Sequence, residues 1–286
     1  GETYRQLKNH SKAIDALQQA IRLENNNASY LFTLGNAFLD SNRVREAVKA
    51  YQTALKLSPD NIEYKNNLGV ALRKVGKLEQ AVLLFKEIIK QDSKYSAALN
   101  NLGLALTELE RLSEAETAYL SALNNTPNYS DASLNLADLY QQLAAFEKAE
   151  LCLKKAITQE KQNFHLLVNL GLVLQKQGRL EEAKEVLTKV PVQKDSNLHV
   201  STALANVLRD LGEFDDALNI LYNLSPKEPG YPKILANLAL IYQHEGDLRK
   251  AEDLLRQAIE KDTHNIIFHM NLAQVLLSRG KFQEGW

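Results

Sequence analysis

A leucine followed by a small residue returns every 34 positions along this chain, at Leu34, Leu68, Leu102, Leu136, Leu170, Leu204, Leu238 and Leu272, and no insertion or deletion interrupts the series. A unit of 34 residues is too short to close a hydrophobic core of its own, so each copy must bury its apolar face against its neighbours. A length of 286 residues would otherwise suggest one or two globular domains. The period instead predicts a single array over 1–286. A partial repeat at 1–27 is followed by complete repeats at 28–61, 62–95, 96–129, 130–163, 164–197, 198–231 and 232–265, and by a partial repeat at 266–286.

Inside a repeat the apolar spacing is helical. Leu31, Leu34, Gly35 and Phe38 make one stripe, and Ala47, Tyr51 and Ala54 make a second. Intervals of three and four put such residues on one side of an α-helix, whereas a strand would alternate. Gly76, Gly178, Gly212, Gly246 and Gly280 fall between the two stripes, where a residue past a helix end often needs positive φ. Pro59, Pro127 and Pro229 fall where second helices stop. Each repeat therefore reads as an antiparallel helix pair, in an all-α chain. Ala13, Ala47, Ala81, Ala115, Ala149, Ala183, Ala217 and Ala251 form a column read as the closest approach of two helix backbones.

These columns resemble the tetratricopeptide repeat, whose signature is W-x2-L-G-x2-Y…A-x3-F…P with a period of 34. Leu68, Gly69, Leu72, Ala81 and Phe85 occupy its positions in one copy, and Leu34, Gly35, Phe38, Ala47, Tyr51 and Pro59 in another. The tryptophan position holds Leu31, Lys65, Leu99 or Ser133 instead. A 35-residue helical repeat is excluded, since a one-residue difference would accumulate over seven steps of the leucine column. The resemblance implies a right-handed superhelical solenoid whose first helices line a concave groove.

A second column is polar. Asn67, Asn101, Asn135 and Asn169 repeat at the same interval, Ala203 breaks the series, and Asn237 and Asn271 resume it; Thr33 begins it. The column lies away from the core stripe, on the side that the resemblance assigns to the groove. A carboxamide offers two donors and an acceptor, so it can hold a peptide main chain without reading side chains. With neighbouring helices about 10 Å apart and about 3.3 Å per extended residue, one rung meets every third residue of a guest. Asn66, Asn100, Arg73, Lys74, Asp131, Asp138, Gln141, Gln175, Arg209, Lys233 and Gln243 are read as further groove-side residues, a mixture of signs and amides suited to a polar extended partner. Replacing Asn101, Asn135 and Asn169 by Ala is expected to leave folding nearly intact and to weaken partner binding.

The ladder also resembles that of the tetratricopeptide region of O-linked N-acetylglucosamine transferases, where a matching asparagine column binds protein substrates. AALNNLGLALTELE and HMNLAQVLLSRGKFQEGW are similar to that group, and FQEGW, Phe282 to Trp286, resembles a segment of bacterial proteins in which such repeats give way to a glycosyltransferase domain. That resemblance implies an alternative role, the substrate-recruiting region of a larger enzyme. The pattern for binding chaperone carboxyl termini is not met, because Phe32 and Thr202 stand where Lys would precede Asn36 and Asn206.

Composition narrows the partner. Lys and Arg number 34 against 35 Asp and Glu, for a formal net charge of -1, so nucleic acid is not expected. No apolar run is long enough to span a bilayer. The single cysteine, Cys152, rules out an intrachain disulfide framework, and a cytoplasmic setting is expected. His165, His199 and His244 are spaced too far apart for a metal centre; no cofactor and no catalytic site is expected. Residues 28–61 and their copies thus predict a noncatalytic module binding a protein or peptide, with self-association through the end repeats as a further possibility. The least regular stretch is 190–232, where Val190 and Leu224 replace the closing alanine and prolines gather. A change of superhelix pitch is expected there.

Overall fold

A computed structural model describes residues 1–7, 9–161, 163–190, 197–224 and 231–285. Every regular element among them is an α-helix, and the chain divides into two compact units, Gly1–Leu143 and Ala144–Trp286. The first unit holds α1 Glu2–Gln6, α2 His10–Leu23, α3 Ala28–Asp40, α4 Val44–Leu57, α5 Ile62–Lys74, α6 Leu78–Gln91, α7 Ser96–Glu108, α8 Leu112–Asn125 and α9 Ser130–Gln142. The second holds α10 Phe146–Gln159, α11 Phe164–Lys176, α12 Leu180–Thr188, α13 Asn197–Leu211, α14 Phe214–Tyr222, α15 Tyr231–Glu245, α16 Leu248–Lys261, α17 Ile266–Ser278 and α18 Phe282–Gly285. Within each unit consecutive helices pack, and so do the first helices of neighbouring repeats, as α5 on α7 and α13 on α15.

The helices begin where local chemistry starts them. Asn27, Asn61, Asn163 and Asn265 precede α3, α5, α11 and α17, and each side-chain oxygen accepts a bond from a main-chain N–H of the first turn. Such a cap satisfies donors that a helix start leaves orphaned and stabilises it by about 1 kcal/mol. These caps form a second 34-residue asparagine column, distinct from the ladder. Between paired helices the chain turns through one left-handed residue. Gly76 (φ 78°) and its periodic equivalents take it freely, while Asn42, Glu110 and Ala144 occupy the same column with φ of 60°, 59° and 54°.

Packing follows a size rule across sixteen residues. A Cβ on Gly35, Gly69, Gly103 or Gly171 would come within 2.4 to 2.6 Å of Tyr51, Phe85, Tyr119 or Leu187 respectively. The small residue after each periodic leucine is thus the seat for a large side chain from the second helix. Where the seat is Ala205 or Ala239, the inserted residue is Leu221 or Leu255 and the same apolar clusters hold both. The eight alanines of the close-approach column are all 0 % exposed.

Helices α12 and α14 have nine residues against fourteen in α4, α6, α8, α10 and α16. They end two residues before Val190 and Leu224, which are both buried. The stretch 190–232, where a pitch change is expected, includes 191–196 and 225–230, which lie outside the described residues, as does Trp286 of the FQEGW motif.

Ion pairs tie second helices of the second unit to the following hairpin turn. Glu150 accepts from Arg179 at 2.7 Å, Lys184 donates to Glu213 at 2.6 Å, and Glu252, which is buried, accepts from Lys281 at 3.2 Å and from Arg256 and Arg279. Burial would raise the Glu150 carboxyl, but bonds from Lys154, Arg179 and Gln177 outweigh it and hold it at about 2. Glu252 is lowered in the same way, where bonds and charge from Arg256, Lys281 and Arg279 outweigh burial. No helix among the described residues is long and apolar enough to cross a membrane.

Candidate functional site

All six asparagines of the ladder lie on first helices, α5, α7, α9, α11, α15 and α17, and all are half-buried. In the first unit they are joined across repeats. The Asn67 Nδ2 donates to Asn36 Oδ1 at 3.1 Å, Asn101 Nδ2 to Asn66 Oδ1 at 3.0 Å and Asn135 Nδ2 to Asn100 Oδ1 at 2.9 Å. Asn36 also accepts from the Tyr51 hydroxyl at 2.7 Å, and Asn66 Nδ2 reaches Asn67 Oδ1 at 3.4 Å. Burial raises the Tyr51 phenol, which therefore stays a proton donor at neutral pH. In the second unit Asn169 Nδ2 bonds the His165 carbonyl of its own helix at 3.0 Å.

This geometry buries two of the residues read as groove-side: Asn66 and Asn100 are 8 % and 4 % exposed. The first helix of the next repeat covers them, and their carboxamide oxygens anchor its rungs. It also changes the expected cost of removing Asn101 or Asn135, because either substitution strips a donor from a buried acceptor. The rungs themselves are only partly spent. A carboxamide has two N–H donors and an oxygen with two acceptor sites; Asn101 and Asn135 each commit one N–H to the neighbouring repeat, and Asn67 one N–H and one acceptor site. The scaffold bond fixes the amide plane and leaves the second N–H directed elsewhere.

Of the charged residues predicted for this face, Arg73 and Arg209 pair with acids, and the Arg73 bridge has counterparts at Arg5 and Gln175. Arg5 Nη1 donates to Asp40 at 2.8 Å, Arg73 pairs with Glu108, and Gln175 Nε2 donates to Asp210 at 2.6 Å, each pair 35 residues apart and so bridging adjacent repeats. Arg209 bonds Asp210 at 2.7 Å and Asn206 at 3.4 Å. Asp138 differs. It is exposed, and it accepts one bond, from Gln141 Nε2 at 3.3 Å, where Asp40, Glu108 and Asp210 each have an arginine. Surrounding protein partly desolvates it and raises its carboxyl above the ordinary value, although its edge remains open to water. In the second unit Arg209, Leu240, Gln243, His244 and Gln274, from α13, α15 and α17, line an open cleft of about 510 Å³. Asn237 and Asn271 stand three residues before Leu240 and Gln274, on the same helix faces.

Cys152 is half-buried, and burial pushes its thiol up to about 11, which disfavours the nucleophilic thiolate. Among the described residues no group of three or more His, Cys, Asp or Glu is placed to hold a metal ion.

Comparison with known proteins agrees with the repeat architecture. No curated protein sequence matches the chain. Among solved structures, a tetratricopeptide repeat protein from Parabacteroides merdae is 17% identical with a TM-score of 0.68, covering 87% of this chain and 98% of its own. A thermophilic protein of the same repeat type from Thermus thermophilus is 23% identical with a TM-score of 0.54, over 64% of this chain and 99% of its own. Cut9 in its hetero-tetramer with Hcn1 is 17% identical with a TM-score of 0.56, over 94% of this chain and 53% of its own. At these identities the likeness is one of fold. Family models described as tetratricopeptide repeat match residues 66–132, 202–266 and 236–285, and 130–163 and 164–190; one described as TPR repeat matches 1–42 and 35–76. With these models spanning nearly its whole length and the helix pairs repeating at the same interval, the chain belongs to the tetratricopeptide repeat family.

Proposed function

We propose that the chain is a noncatalytic protein-interaction module which holds an extended peptide or an unstructured protein segment against the carboxamide face of its first helices. The observation that carries this reading is the half-spent state of the ladder. Asn67, Asn101 and Asn135 each give one N–H to the neighbouring repeat, which orients them, and keep a donor and an acceptor of the kind a peptide main chain needs. Each such bond contributes about 0.5 to 1.5 kcal/mol net, so a few rungs give weak, sequence-tolerant binding once ordering costs are subtracted. The crystal structure of Cut9 with Hcn1 shows a protein of this fold in a protein complex.

The test uses the rungs of the second unit, where removal does not strand a buried Asn partner of the kind seen at Asn66 and Asn100. Asn169, Asn237 and Asn271 are replaced together by Ala, and the protein is titrated on an array of synthetic unstructured peptides of random sequence. Melting should stay within a few degrees of the parent, and peptide affinity should fall roughly tenfold, as expected for three net hydrogen bonds at the low end of their range. Undiminished affinity with intact helicity would contradict the proposal.

A further inference from the structure

Around the carboxamides of the first unit a second pattern repeats. Three residues after Asn67, Asn101 and Asn135 stand Val70, Leu104 and Asp138, and residues three apart share a helix face. Val70 and Leu104 are half-exposed, so aliphatic side chains alternate with amides along an otherwise polar row. Asp138 follows in the next repeat as a carboxylate that Gln141 bonds and that no arginine or lysine among the described residues pairs with. A partly desolvated carboxylate without a counter-charge is relieved by a cation from outside.

The spacing then selects the guest's conformation. Neighbouring first helices lie about 8 to 10 Å apart, so successive rows face every third residue of a guest. A flat β-strand turns alternate side chains to opposite sides and would point every third one the wrong way. A polyproline II segment has three residues per turn and rises about 3.1 Å per residue. It returns a side chain to the same side at about the spacing of the rows, and its unpaired main-chain groups stay available to the amides. We infer that the guest of this face is a polyproline II segment carrying an apolar residue, a second apolar residue three positions on, and a Lys or Arg three positions beyond that, laid from α5 to α9. The inference rests on the proposed main-chain role of the ladder and adds to it the side chains and the backbone form that are selected.

The test is fluorescence anisotropy with labelled fifteen-residue peptides in a Pro/Gln host, in both chain directions, against the full chain and its D138N and D138K variants. One peptide carries Val, Leu and Arg at intervals of three; the second has Glu for Arg; the third keeps the three residues at intervals of two. The Arg peptide should bind roughly tenfold tighter than the Glu peptide, with a preference that weakens in salt. D138N should abolish that preference and D138K should reverse it, and the interval-two peptide should bind about as weakly as the Glu peptide. Asp138 is exposed, so both variants retain the fold, checked by helical circular dichroism. If all peptides bind the parent equally, the ladder reading survives and this inference fails. If none binds, both fail.

Discussion

Replacing Asn101 by Ala is the most informative single perturbation of the scaffold, because its cost follows from one bond. Asn101 Nδ2 donates at 3.0 Å to Asn66 Oδ1, and Asn66 is 8 % exposed. Removing the donor leaves a buried amide oxygen unsatisfied, which costs about 1 to 3 kcal/mol. Asn101 is itself half-exposed, so water can enter the vacated hollow, and the lower part of that range, about 1 to 2 kcal/mol, is expected. Asn66→Leu should then recover most of the loss. Removing both polar partners is close to neutral, and the same column holds Phe32, Leu134 and Val168 in other repeats. The assay is native-state hydrogen exchange on the full chain, read at amides of α5 and α7, since an array need not unfold as one unit. Exchange through local opening should rise roughly 5- to 30-fold in Asn101→Ala and return toward the parent in the double variant. An unchanged exchange rate, or equal and additive effects of the two substitutions, would refute the argument that this carboxamide pair joins the repeats.

Other consequences are as direct. Glu110→Gly should stabilise the protein by about 0.5 to 1 kcal/mol, and Gly76→Ala should destabilise it by about 1 kcal/mol, because both occupy the left-handed turn column and no atom lies near enough to Gly76 for a clash; denaturant midpoints decide. Gly103→Ala forces a Cβ to 2.5 Å from the Tyr119 ring and should cost about 1 to 3 kcal/mol, and adding Tyr119→Leu should restore most of it, since Ala205 and Ala239 already coexist with Leu221 and Leu255. Acid should loosen the second unit: Glu150 is held at about 2 in the folded chain against an ordinary 4.5. Its stabilisation is therefore present above about 4.5 and is lost as pH falls through 2. Hydrogen-exchange protection in α10 and α12, corrected for the intrinsic rate at each pH, should fall more from about pH 5 to about pH 2.5 in the parent than in Glu150→Gln, and identical pH profiles would argue against that assignment.

The repeat was fully legible in the sequence because one leucine column and one small-residue column keep strict register over the whole chain. Six first helices begin at the residue the period assigns, and α13 and α15 begin one residue earlier. The turn column was legible only where it holds Gly; Asn42, Glu110 and Ala144 adopt the same positive φ because the stacked helices on either side dictate it, a tertiary demand that composition does not show. The cap asparagines carried a readable signal, a polar residue just before an apolar-periodic run, which the ladder's prominence obscured. The burial of Asn66 and Asn100 was not readable. Both lie next to open rungs in sequence, and only the approach of the neighbouring first helix decides that one amide is an anchor and the next a rung. Which acids are paired was not read from the sequence, since Glu108 meets Arg73 only once the two repeats are stacked.

A bound peptide would engage the second N–H of Asn67, Asn101 and Asn135, the one not given to the neighbouring repeat. Nitrogen-15 NMR of the asparagine side-chain amides resolves the two protons of each carboxamide, and titration with an unstructured peptide reports on both. At Asn67, Asn101 and Asn135 the proton bonded to the neighbouring repeat should hold its shift while its partner moves downfield as the peptide binds. Saturable peptide binding that leaves both protons of all three amides unmoved would contradict the role assigned to the ladder.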